Sequence, residues 1–165
     1  MALRQMITQG CAAIVLTLAC ESALAEPVPA PDFTLKSRSG ENIRLSELQG
    51  QVVMVNFWAS WCGPCRQEMP LLDDLYEEYR DYGFELLGVN VDENTADAEA
   101  LLARIPVDFP ILFDPQGSLS KAWEVDAMPS TVLIDRDGNV RYLHRGYRSG
   151  EEKIYAEKLR ALVLE

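Results

Sequence analysis

Two stretches of the chain are apolar almost without a break. Residues 52–58 read VVMVNFW and residues 84–91 read FELLGVNV. Such runs, rich in β-branched and aromatic residues, suit strands buried on both faces of a sheet. Between them the period changes. Met69, Leu72, Leu75, Tyr76 and Tyr79 recur at steps of three and four, the spacing of one helix face. Pro70 falls inside that helix, where its missing N–H and its ring predict a kink, and Gly83 ends it. Upstream, residues 26–31 (EPVPAP) read as an extended entry segment. Phe33 and Leu35, then Ile43 and Leu45, alternate about Ser39-Gly40 and predict a small hairpin. Residues 46–48 suit a single helical turn before Gly50. Downstream, Asn94 or Thr95 caps a helix over 96–105. An extended segment at 109–113 and a short helix at 119–123 follow. Residues 131–134 and 140–144 pair about the Asp137-Gly138 turn. Residues 149–164 form a closing helix, with Ile154, Leu159, Leu162 and Val163 inward. The order β-α-β-α-β-α-β-β-α predicts an α/β fold, a mixed central sheet flanked by helices.

The composition fits that picture. The chain has 165 residues, 48% hydrophobic and 25% charged, enough for one domain with a substantial core. Its formal charge is −11, from 26 acids and 15 bases, which argues against a nucleic-acid partner. The N-terminus stands apart from the domain. Arg4 precedes an apolar run at 11–19, too short for the ~20 residues of a membrane span. Ala23-Leu24-Ala25 then gives the small-residue pattern of a signal-peptide cleavage site. The expected division is a signal peptide at 1–25 and a mature domain at 26–165, located in the periplasm. An uncleaved anchor is one alternative. Lipid attachment at Cys20 is another, since Leu18-Ala19-Cys20 resembles a lipobox, although Thr17 does not fit it. Arg4 and Glu21 cancel, so the mature domain keeps the whole −11. Cys11 and Cys20 leave with the leader. Only Cys62 and Cys65 remain.

Those two cysteines carry the chemistry. A buried strand runs into Trp58-Ala59-Ser60-Trp61-Cys62-Gly63-Pro64-Cys65, and a helix begins beside Cys62. At a helix N-terminus the first sulfur faces unpaired N–H groups and the positive end of the helix dipole. A thiolate is stabilised there, which makes Cys62 the nucleophile and also a good leaving group. Cys65, one turn in, is the resolving thiol. Gly63 permits close approach of a partner chain, and Pro64 stiffens the turn. A structural zinc site needs four ligands, and the mature chain has no other cysteine and one histidine, His144, so no metal is expected. Residue 66 is Arg, where haem attachment requires His. A purely structural disulfide stays open as an alternative, though so small a ring is a weak staple.

Trp61-Cys62-Gly63-Pro64-Cys65 resembles the active-site signature of the thioredoxin superfamily. Val55-Asn56-Phe57-Trp58-Ala59 before it and Met128-Pro129-Ser130-Thr131 far downstream extend the match. The leader, the N-terminal hairpin and the extra helix after Val91 resemble the TlpA/ResA branch of extracytoplasmic thiol–disulfide oxidoreductases, over residues 30–163. This resemblance implies the thioredoxin fold, with an N-terminal β-hairpin and a central extra helix. It implies a cis Pro129 lying against the CxxC turn, with the Met128 backbone pairing with a bound substrate strand. Trp61, Gly63 and Pro64 complete that substrate surface. It also implies protein disulfide or dithiol substrates and a membrane electron donor.

Glu68 lies three residues after Cys65 and shares its helix face. Turned inward, its carboxyl would be desolvated, its pKa raised, and it could take the Cys65 proton. A solvated glutamate of the first helical turn is the plainer reading. The TlpA/ResA pattern has Glu at this place. Asn56 departs from ordinary thioredoxins, which keep a buried Asp six residues before the first cysteine, and Asn56 cannot titrate. Trp58 and Trp123 read as core, and His144 receives no role. The expected function is reduction of extracytoplasmic disulfides, for example in cytochrome c maturation, by a Cys62/Cys65 cycle. The chain is expected to be monomeric, with no cofactor beyond that pair. An oxidase or isomerase, a peroxiredoxin-like thiol peroxidase and a non-catalytic binding domain are the alternatives. The chain lacks the Thr-x-x-Cys context of the peroxidase.

Overall fold

From residue 27 onward the chain runs through eight strands and four helices, as described by a computed structural model covering residues 27–165. The leader and its two processing alternatives lie outside the described residues. In order the elements are β1 (Val28–Pro29), β2 (Thr34–Lys36), β3 (Asn42–Arg44), β4 (Val52–Trp58), α1 (Gly63–Tyr79), β5 (Phe84–Asn90), α2 (Thr95–Leu102), β6 (Ile111–Phe113), α3 (Ser118–Ala122), β7 (Ser130–Ile134), β8 (Asn139–Arg145) and α4 (Glu152–Val163). Short 3₁₀ turns at Leu45–Leu48 and Arg80–Tyr82 fill two of the connections.

The main sheet has the order β1-β8-β7-β4-β5-β6. Strands β4, β5 and β6 run parallel, while β7, β8 and β1 add antiparallel pairs on the other side. Every residue of β4 is buried. Period two then sorts its side chains between two cores. Val52, Met54 and Trp58 pack with Cys65, Met69 and Leu72 of α1 and with Tyr155, Leu159 and Leu162 of α4. Val53, Val55 and Phe57 pack on the opposite face with Phe33, Leu45 and Leu119. The β2–β3 hairpin forms its own two-stranded sheet, tied to β6 by Arg38 N–H donating to the Ile111 carbonyl at 2.8 Å. Among the described residues no helix is long and apolar enough to cross a membrane.

Four local expectations change. The proline-rich entry contains β1, which pairs with β8; Pro29 lacks an N–H, which an edge strand tolerates. Helix α1 continues through Pro70, whose ring lies on the exposed side while Met69 and Leu72 are fully buried. Helix α4 starts at Glu152 rather than 149, because Gly150 takes φ +100°, a left-handed value that no helix accommodates. Ile154 is exposed, and Tyr155 fills the inward place instead. On a helix of 100° per residue, Tyr155 lies 40° from Leu159 whereas Ile154 lies 140° away.

Candidate active site

Strand β4 delivers the chain to the site. Beyond Trp58, the loop 59–61 is held from three sides. Val91 N–H donates to the Trp58 carbonyl at 3.0 Å, and Cys62 N–H to the Ala59 carbonyl at 3.1 Å. The buried Asp92 carboxylate accepts from Ser60 N–H at 2.9 Å and from its hydroxyl at 3.1 Å. Arg66 Nη1 donates to the Ser60 carbonyl at 3.0 Å. Asn90 Nδ2 in turn donates to Asp92 at 2.8 Å, so the end of β5 anchors the loop that follows β4. Asp92 has no counterpart in the sequence reading. Its signal was an acid two residues past a buried strand.

Cys62 is the N-cap of α1, with Gly63 and Pro64 as its first residues. Cys62 and Cys65 form a disulfide, their Cα atoms 5.3 Å apart. Cys65 N–H donates to Cys62 Sγ at 3.2 Å, so the sulfur already receives a helix N-terminal donor. Cys62 keeps 4% of its surface open and Cys65 none. A partner sulfur therefore meets Cys62 first. Trp61 is 67% exposed, and Pro64 is exposed beside it.

The register of β4 with β7 brings a distant segment to this turn. Phe57 pairs with Ser130, so Pro129 lies level with Trp58, the last residue of β4, and Met128 beyond it, on the side where the turn begins. The Met128–Pro129 bond is cis. Pro129 is buried, and its carbonyl accepts from Gly146 N–H at 2.7 Å. Among the described residues, nothing pairs with the Met128 backbone N–H or carbonyl.

About one turn along α1 from Cys65, Glu68 joins a polar group in an otherwise apolar core. Asn56, Thr131 and His144 stand in register on β4, β7 and β8. Asn56 Nδ2 donates to Glu68 Oε2 at 3.0 Å and to the Thr131 hydroxyl at 2.9 Å. Glu68 is fully buried. Burial pushes its carboxyl up to about 7 from 4.5; Tyr155 and Asn56 pull the other way, and the negative charge of Glu151 adds to the rise. The plainer reading of Glu68 as a solvated first-turn acid is thereby set aside. His144 lies at the outer end of the row. Its Nε2 pairs with Glu151 Oε2 at 3.0 Å, its Nδ1 with the Tyr142 hydroxyl at 3.2 Å, and its ring meets Tyr155 edge-on at 5.3 Å. Trp58 is wholly buried, and Trp123 packs against Phe33 and Phe57. Tyr155 and Thr131 were missed from the sequence, since neither lies near the motif along the chain. The arrangement supplies a disulfide whose less buried member, Cys62, caps a helix start, and a buried carboxyl with a pKa near neutrality.

Comparison with known proteins points the same way. A family model described as the AhpC/TSA family matches residues 28–143. The thiol-disulfide oxidoreductase ResA of Geobacillus kaustophilus (strain HTA426) is 39% identical over 132 residues, 80% of this chain and 76% of that protein. ResA of Bacillus subtilis (strain 168) is 34% identical over 120 residues, 73% of this chain and 67% of that protein. A crystal structure described as thiol:disulfide interchange protein DsbE, from Chlorobium tepidum, superposes with a TM-score of 0.81 at 38% identity. It covers 86% of this chain and 99% of that one.

Proposed function

The chain belongs to the AhpC/TSA family and has the thioredoxin fold, and from that premise we propose that it reduces disulfides of extracytoplasmic proteins through a Cys62/Cys65 cycle. It is a thiol–disulfide oxidoreductase similar to the ResA proteins. The observation that carries the mechanism is the asymmetry of the pair: Cys62 at a helix start keeps a 4% opening to solvent, while Cys65 is sealed on the same helix as buried Glu68.

The reduced protein starts the cycle with the Cys62 thiolate, favoured by the N-terminal end of α1. It attacks one sulfur of a substrate disulfide. A mixed disulfide forms, and the other substrate sulfur leaves as a thiolate and takes a proton from water. Cys65 passes its proton to the Glu68 carboxylate and attacks Cys62 Sγ. The second substrate thiolate leaves, and Cys62–Cys65 is oxidised by the two electrons the substrate gains. Trp61, Gly63 and Pro64 offer the docking surface beside Cys62. The open Met128 backbone, next to Pro129, offers a strand edge to the substrate chain. A membrane dithiol donor restores the reduced pair. The leader-like N-terminus supports a periplasmic location, and the protein works as a monomer without a metal or organic cofactor. Gly63-Pro64 between the cysteines matches thioredoxin itself, a reductant with a potential of about −270 mV.

Reduction of insulin by the purified mature chain is the direct test. Cys62→Ser should abolish turnover, and Cys65→Ser should accumulate substrate as mixed disulfides on Cys62. Turnover that survives Cys62→Ser refutes the cycle, and a Cys62–Cys65 potential well above about −150 mV reverses its direction.

A further inference from the structure

Glu68 uses only one of its two oxygens. Oε2 accepts from Asn56, while Oε1 has no hydrogen-bond partner among the described residues. On α4, the Tyr155 hydroxyl is buried and, among the described residues, makes no aligned hydrogen bond either. The two groups lie within hydrogen-bonding reach of each other, and the Thr131 hydroxyl within reach of Tyr155, but neither contact has the alignment of a formed hydrogen bond. An open acceptor and an open donor side by side in an apolar core are costly unless some state of the protein pairs them.

We propose that Tyr155 is the positioning residue for Glu68: its hydroxyl donates to Oε1 when the carboxyl is ionised, and holds that base ready for the Cys65 proton. The inference rests on the reading of Glu68 as the base. With Asn56 already on Oε2, the ionised carboxyl then has a donor on each oxygen. Tyr155 suits the task because it does not compete for the proton; burial first, then the nearby Glu68 charge, drive its own ionisation far above the ordinary tyrosine range. When Glu68 has taken the Cys65 proton it no longer needs the second donor. The hydroxyl is then released from Oε1. The same pocket offers Asn56 Oδ1, also without a partner, as an acceptor for the protonated form.

The other groups facing Glu68 come from every packed element. Cys65 lies on α1 itself, Asn56 on β4 and Thr131 on β7. Glu151, at the N-terminal cap of α4, and Glu68 repel. Tyr147, in the segment leading into α4, feels the Glu68 charge too. His144 on β8 stands behind the Tyr155 ring and pairs with Glu151. A substitution at Tyr155 that spares these groups isolates the hydroxyl.

The test follows the Glu68 Cδ resonance with pH in ¹³C-Glu-labelled oxidised protein, assigned by its loss in Glu68→Gln. Tyr155→Phe keeps the ring on His144 and removes only the hydroxyl. Its expected effect is a rise of the Glu68 midpoint by about one pH unit, tenfold in proton affinity. The pH profile of disulfide exchange should move with it, and Tyr155→Phe should add nothing in the Glu68→Gln background. Tyr155→Leu should shift the midpoint as Tyr155→Phe does. A midpoint that Tyr155→Phe leaves in place, or one that moves only with Tyr155→Leu, overturns the proposal. An exchange profile unchanged by Glu68→Gln overturns the base reading beneath it, and is told apart because the carboxyl midpoint still answers to Tyr155→Phe.

Discussion

At Glu68 a single side chain links stability to chemistry. Burial holds its carboxyl up to about 7, against 4.5 in the unfolded chain. Between those values the folded protein binds a proton that the unfolded chain has released. Stability from this group is therefore full below about pH 4.5, falls as pH rises through the window, and is lowest above about pH 7. The span corresponds to roughly 3 kcal/mol. Asp32, Asp135 and Glu151 have pKa values lowered from the ordinary carboxylate range, so their stabilisation is lost as pH falls, outside that window. The useful quantity is thus the difference between wild type and Glu68→Gln. Urea midpoints measured from pH 4.5 to 7.5 should show Gln gaining on Glu by about 2–3 kcal/mol across the window. A flat difference would mean the carboxyl is not desolvated. The three-residue step to Cys65 put Glu68 on the cysteine's helix face but left its carboxyl open to an inward or a solvated reading, which the fold decides by burying it. Its partners were not legible, because Asn56, Thr131 and Tyr155 meet it only through strand register and helix packing.

Helix α4 shows where periodicity reads an element well and where hydropathy misleads it. Leu159 and Leu162 lie inward as their spacing predicts. Ile154 outranks Tyr155 in apolarity, yet geometry gives Tyr155 the core position and leaves Ile154 38% exposed. Leu159→Ala should therefore cost about 2–5 kcal/mol, as deletion of a buried side chain does. Ile154→Ala should cost less than about 1 kcal/mol. Equal losses by denaturant titration would restore the hydropathy reading. The long elements, β4, α1 and β5, were legible because each satisfies one strong pattern over at least seven residues. Strand β1 was not, since two residues between prolines carry no period, and only the β8 partner makes them a strand. The glycine before α4 was visible, but its left-handed φ was not.

For the whole molecule, the question is whether the fold depends on the disulfide it must open and close. The sheet brings the CxxC turn and Met128–Pro129 together from distant parts of the chain through backbone pairing of β4 with β7, without help from the cysteines. Two apolar cores, one on each face, carry the packing. The disulfide closes a ring with a sequence separation of 3, and chain entropy assigns so short a loop only about 2 kcal/mol. A long-range staple of ~100 residues would be worth about 4.7 kcal/mol. A redox pair needs this independence, because each turnover leaves the protein reduced for part of the cycle. Reduction by excess dithiothreitol should then leave the far-ultraviolet circular dichroism unchanged and a single cooperative unfolding transition. The thermal midpoint should fall by no more than about 10 °C for a domain of this size. The Cys62→Ser/Cys65→Ser double variant should behave like the reduced protein. Unfolding on reduction would make the pair a structural staple, and a protein that loses its fold at every turnover could not be a reductase.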